Sequence, residues 1–214
     1  MWKTILDLFF PMNCLGCGRE GQFICPACLE KIPLNQKVLF GSNQAWPLTG
    51  LIVASNYNNP LVKEAIHRYK YGLVKDLANP LGQLATRAFR EYHFKDTLLI
   101  PVPLHKKRLR WRGFNQAELL AQVVSRQLEI PLVKDVLRRV KYRLPQMAIK
   151  NSRQRRDNIK EAFRLSPQLK TNIQNKIIIL VDDVVTTGAT LSECARLLKS
   201  LQPREIWGLV VARG

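Results

Sequence analysis

The hydrophobic pattern changes period several times along the chain. Residues 2–10 place Trp2, Ile5, Leu6, Phe9 and Phe10 on one helical face, and Pro11 and Asn13 end that helix. Residues 31–50 hold no period and carry Pro33, Gly41, Pro47 and Gly50, the composition of a linker. From Leu51 onward short apolar runs alternate with helical periodicity. Strands are expected at 51–54, 97–102, 136–140, 176–181 and 206–212, with helices at 60–69, 77–89, 115–128 and 190–201. The run Ile177 to Val181 is purely aliphatic, as expected of a central parallel strand covered on both faces. This alternation predicts an α/β fold with a doubly wound, mostly parallel sheet. The predicted organisation is a helix and cysteine knuckle over 1–32, a linker over 33–50 and an α/β domain over 51–214.

At 214 residues the chain suits one such domain with a small appendage. A hydrophobic fraction of 46% argues against disorder. No apolar run approaches the roughly 20 residues that cross a bilayer. The N-terminus reads as no secretory signal, because Asp7 interrupts its apolar stretch. A cytoplasmic location is therefore expected. The apolar face of residues 2–10 packs on the protein itself or, alternatively, associates with a membrane surface.

Charge changes the picture. Lys and Arg total 34 against 16 Asp and Glu, a net charge of +18. Either the protein is simply basic, or its partners are polyanions: nucleic acid, anionic lipid or phosphorylated small molecules. The clustering of the basic residues favours the second reading.

Four of the five cysteines form Cys14-x2-Cys17 and Cys25-x2-Cys28, seven residues apart. In a reducing compartment this spacing predicts one closed tetrahedral S4 site, which suits a structural zinc. Gly16, Gly18 and Gly21 relax the backbone around the ligands. The rival, a pair of redox dithiols, lacks any accompanying thioredoxin-type pattern. Cys194 stands alone and reads as a small core residue.

The central strand runs into Asp182-Asp183-Val184-Val185-Thr186-Thr187-Gly188-Ala189-Thr190. In an open α/β sheet, ligands bind beyond the carboxyl ends of the strands. Asp182 and Asp183 are expected at that end as acceptors for sugar hydroxyls. The Thr-Thr-Gly turn and the helix after it offer amide and hydroxyl donors to a phosphate. The bland alternative for the two acids is a cap or a solvated turn. The string contains no GxxxxGK, so it is no Walker loop.

A second cluster follows the strand at 97–102. His105 leads into Lys106, Lys107, Arg108, Arg110 and Arg112, then Asn115 and Gln116. These cations read as a loop for pyrophosphate or a nucleic-acid backbone, or else as a solvated basic turn. Between Lys134 and Lys160 lie ten further Lys or Arg against Asp135 and Asp157. Trp111, Phe114 and Tyr142 sit among the basic runs. Cations with interleaved rings are what single-strand binders use, so Trp111, Arg138, Arg139, Lys141, Tyr142, Arg143 and Arg155 are the candidates for DNA contact. Partial burial is the alternative for Trp111 and Tyr142.

The string from Asp182 to Thr190 with its hydrophobic lead-in resembles the phosphoribosyl pyrophosphate signature of type I phosphoribosyltransferases. The resemblance implies that Asp182 and Asp183 hold ribose hydroxyls, that Thr186 to Thr190 cradle the 5′-phosphate, and that magnesium bridges pyrophosphate and ribose oxygens. The knuckle, Pro101-Val102-Pro103-Leu104-His105, Arg112-Gly113-Phe114-Asn115-Gln116 and the acid pair, in this order, resemble the ComF family. Lys70-Tyr71-Gly72, Gln146 and Arg155-x-x-Asn158 extend the match over nearly the whole chain. That resemblance implies a type I phosphoribosyltransferase-like fold and a role in natural competence. The implied partners are phosphoribosyl pyrophosphate, single-stranded DNA and uptake machinery at the inner membrane face. An active transferase of nucleotide salvage is the alternative. Residues 29–50 hold no further cysteines, so one metal is expected.

Overall fold

The computed structural model describes residues 12–35, 38–39, 46–142, 161–167 and 171–214. The helix expected over residues 2–10 lies outside them.

A five-stranded sheet forms the centre, with strands β1 (Val38–Leu39), β2 (Gly50–Asn56), β3 (Thr97–Pro101), β6 (Ile177–Val185) and β7 (Glu205–Arg213) in the order β1-β2-β7-β6-β3. Only the β1–β2 pairing is antiparallel; β2, β7, β6 and β3 run parallel. A separate antiparallel pair joins β4 (Leu137–Arg139) and β5 (Phe163–Leu165). The described helices are α1 (Pro26–Glu30), α2 (Pro60–Lys70), α3 (Ala78–Phe89), α4 (Lys106–Arg112), α5 (Gln116–Leu128) and α6 (Ala189–Leu198).

Side-chain alternation along the strands divides the core in two. Ile177, Ile179 and Val181 join Ile52, Leu209 and Val211 in an apolar layer beneath α2, α3 and α5. Ile178 and Leu180 join Leu51, Val53 and Val210 in a second layer beneath α6 and the β4–β5 pair. A strand that must be apolar on both faces reads as an unbroken aliphatic run. The expected doubly wound, mostly parallel α/β sheet is therefore the fold.

Three stretches differ from expectation. The central strand continues to Val185, because β7 runs beside it to Arg213 and supplies ladder partners at Asp182, Val184 and Val185. The basic run 106–112 is a helix, not a loop. His105 caps its start by accepting a hydrogen bond from Lys107 N at 3.1 Å, and Gly113 ends it at φ +76°. Within the stretch read as irregular, Val38–Leu39 pair with β2 and Leu48 is wholly buried.

The knuckle packs against the sheet domain. Its Ile24, Leu29 and Ile32 belong to the same apolar layer as α2 and α3, and Arg87 Nη1 donates to Leu29 O at 2.8 Å.

Candidate sugar-phosphate site and metal knuckle

Asp182 and Asp183 are consecutive residues of an extended strand, so their side chains leave on opposite sides. Asp183 is buried and accepts from Lys70 Nζ, at the end of α2, at 2.8 Å. Burial opposes charge on Lys70, but the adjacent Asp183 carboxylate, with help from Asp182, outweighs it and raises the Lys70 pKa. Asp182 is partly exposed, and its Oδ1 accepts from Asp183 N at 2.8 Å. Desolvation and then the neighbouring Asp183 charge push its pKa up to about 7, against the pull of Lys70 and Arg139. Lys70 appeared in the sequence only within a resemblance motif; a lysine ending a helix gives no pattern signal that it will meet an acid over a hundred residues later.

Beyond Val184 and Val185 the chain bends. Thr186 is exposed, Thr187 partly so, and Gly188 adopts φ +71°, ψ 0° before α6 begins at Ala189. Gly188 has no side chain with which to cap the helix. The amides of the first turn lack intrahelical acceptors, and the helix dipole adds a partial positive charge there. Thr187, Ala189 and Thr190 are all partly exposed beside this end. The bend thus offers an anion a set of N–H and hydroxyl donors, next to carboxylates suited to hydroxyl donors.

Helix α4 flanks the acids and buries none of its residues. Lys106, Lys107 and Arg110 are exposed, and Trp111 is 61% exposed. Arg112 turns inward: its guanidinium carbon stands 5.7 Å from the Trp111 ring centre and 6.0 Å from that of Tyr71. Burial lowers its pKa, and the Asp183 charge opposes that shift. At the other end of α4, His105 lies 5.0 Å from the Tyr142 ring, and Lys107 Nζ is 5.2 Å from it. Burial, then Arg139, Lys107 and Arg108, lowers the His105 pKa.

The remaining candidates divide. Asn115 donates to Val102 O at 3.1 Å, and Gln116 is buried with its backbone oxygen accepting from Tyr69 Oη at 2.9 Å. Both tie α5 to its surroundings. Arg139 is half-buried over Phe163 at 5.3 Å and feels the charge of Asp182, whereas Arg138 is exposed. Lys141 pairs with Glu161 at 2.9 Å. Arg143 and Arg155, with Gln146 and Asn158, lie outside the described residues. The fold thus gathers Asp183, Lys70 and Arg112 on one side of β6, Asp182 and Arg139 on the other, and the Thr186–Thr190 bend at its end.

In the knuckle, the Sγ atoms of Cys14, Cys17, Cys25 and Cys28 all lie within 4.8 Å of one another. The Cys17–Cys25 separation is 3.7 Å. Four sulfurs about 2.3 Å from a tetrahedral zinc stand about 3.8 Å apart, so the set fits that ion. Burial raises the Cys14 thiol, but N–H groups led by that of Cys25 at 3.3 Å outweigh it and hold the pKa at about 6. Hydrogen bonding to Cys25 and Cys17, then burial, pushes Cys28 up to about 12. Four thiolates so close repel one another, and a bound cation removes that cost. A Cβ on Gly16 would come within 2.8 Å of Cys28 Sγ, so any larger residue here must displace that sulfur. Cys194 is buried in the second apolar layer, remote from this cluster in sequence and fold.

A doubly wound sheet whose inner strand β6 carries paired acids near its carboxyl end and leads into a glycine bend defines a phosphoribosyltransferase-like protein. Residues 115–214 match the phosphoribosyl transferase domain family. Over 206 residues the chain is 35% identical to Competence protein F of Haemophilus influenzae, across 93% of this chain and 84% of that one. It is 32% identical over 195 residues to DNA utilization protein YhgH of Escherichia coli O157:H7, across 86% and 77%. It is 32% identical over 146 residues to Competence protein ComFC of Bacillus subtilis, across 65% and 54%. The chain belongs to the ComF family. Among the described residues, no helix is long and apolar enough to cross a membrane.

Proposed function

We propose that this protein binds phosphoribosyl pyrophosphate with magnesium, binds single-stranded DNA over α4, and acts in DNA uptake during natural transformation. One observation carries the ligand reading: the acids at Asp182 and Asp183 and the donor-rich bend at Thr186–Thr190 share one strand end. Asp182, exposed in part, is the acceptor for ribose hydroxyls, and the first turn of α6 holds the 5′-phosphate. Magnesium would come with the ligand, and the Asp182 carboxylate would supply the kind of hard oxygen donor that ion takes. The α4 cations neutralise pyrophosphate charge.

The DNA reading is supported by the exposed Trp111 ring of α4, a helix that carries five cations and no acid, and by the exposed Tyr71 ring just after α2, with Arg112 beside both. The names of the relatives, competence and DNA utilization proteins, favour the same role. Partners among the uptake proteins at the inner membrane face, and the cytoplasmic location that goes with them, form part of this proposal.

Magnesium with phosphoribosyl pyrophosphate raises the melting temperature of the wild-type chain, and the double variant Asp182→Asn, Asp183→Asn loses the shift. An unshifted wild-type melt at millimolar ligand defeats the reading. The match to a transferase domain favours a second reading, an active phosphoribosyltransferase in which these groups position the donor and stabilise a developing oxocarbenium centre. Pyrophosphate release across a panel of bases, with and without single-stranded DNA, separates the two.

A further inference from the structure

Trp46 sits where no pattern in the sequence would place it. A Cβ built on Gly188 would overlap the six-membered edge of the Trp46 indole. The ring therefore lies directly against the glycine on which the phosphate bend turns. Gly188 is confined twice over, by its positive φ and by this ring.

Trp46 is itself held firmly. It packs against the second apolar layer, whose buried members include Leu48, Val185 and Leu191. Thr49 N donates to Ile206 O at 2.7 Å, and Thr49 Oγ1 accepts from Ile206 N at 3.4 Å. Gly50 then enters the ladder opposite Trp207. The anchors to β7 lie three and four residues after Trp46, and the indole meets the bend from the second apolar layer. Gly188 O in turn accepts from Ser192 N at 2.9 Å, which fixes the first turn of α6 to the same glycine.

From this geometry we infer that Trp46 is a positioning residue for the phosphate bend. It touches no ligand. It closes the space behind Gly188, so the Thr186–Thr190 amides keep one conformation and the loop bears little ordering cost when a phosphate arrives. The exposed Thr186 side remains the face open to a ligand. The inference rests on the reading of this bend as a phosphate site.

The test uses two probes on the full chain: ribose 5-phosphate for the bend, and inorganic pyrophosphate for the cations beside the acids. Trp46→Ala weakens ribose 5-phosphate binding about tenfold or more while pyrophosphate affinity stays within about twofold of wild type. Trp46→Phe, which keeps a ring, restores most of the loss. Ribose 5-phosphate also changes the tryptophan emission of the wild type, and Trp46→Phe, which retains Trp2, Trp111 and Trp207, lacks that change. Should Trp46→Ala fail to fold, the emission arm decides alone. Wild-type affinity in Trp46→Ala, equal loss for both probes, or an undiminished emission change in Trp46→Phe overturns the inference and leaves the bend a phosphate site. A wild-type protein that ignores ribose 5-phosphate at millimolar concentration overturns both.

Discussion

Lys70 Nζ lies 2.8 Å from Asp183 Oδ1, joining the end of α2 to the central strand through an ion pair that is largely buried at both ends. Removing one partner of such a pair strands the other charge in a poor solvent. Lys70→Met is expected to cost about 3–5 kcal/mol, measured by urea unfolding. Adding Asp183→Asn to it recovers most of that loss. A single variant as stable as wild type contradicts the burial of this contact.

Asp182 gives a pH signature. Its folded pKa is raised from 3.8 to about 7. Between these values the folded state binds more protons than the unfolded chain, so this residue's contribution to stability falls as pH rises through the window. Below about pH 4 the contribution is complete, and above about pH 7 it is lost. The variant Asp182→Asn therefore flattens the stability profile between pH 4 and 7, as read by chemical denaturation at each pH. A cationic ligand at this carboxylate binds more tightly as pH rises past 7.

The knuckle is expected to carry one zinc per chain, measured by metal analysis on anaerobically purified protein. Strong chelation lowers the melting temperature, because the metal's binding free energy is folding free energy for residues 12–32. Cys14→Ser and Cys28→Ser each lose the metal. Metal-free protein with an unchanged melt rejects the site.

Single-stranded DNA binding is expected to show weak sequence preference and a steep loss with salt. Trp111→Ala lowers affinity by about 1–3 kcal/mol, the worth of one stacked base. Replacing Arg108, Arg110 and Arg112 together with Ala weakens binding and reduces the salt slope. Affinity that is flat from low to moderate salt removes the DNA reading.

The parallel core was legible because Ile177 to Val181 must be apolar on both faces, and such a run has few other solutions. The S4 knuckle was legible because ligand spacing is a local property of a tight turn. What escaped was set by pairing between distant segments. Continuation of β6 past the acids depends on β7 running to Arg213 beside it. Helix α4 buries nothing, so it has no apolar stripe to betray it; its caps at His105 and Gly113 define it. Lys70 and Trp46 are invisible for the same reason, since each acquires its role from residues more than a hundred positions away.

Ile24, Leu29 and Ile32 of the knuckle share one apolar layer with α2 and α3. The cysteine segment thus behaves less like a detachable tag than like a wall of the building. Severed from the rest, it would leave behind a greasy scar along the helices, and the shortened chain would cling to itself in solution.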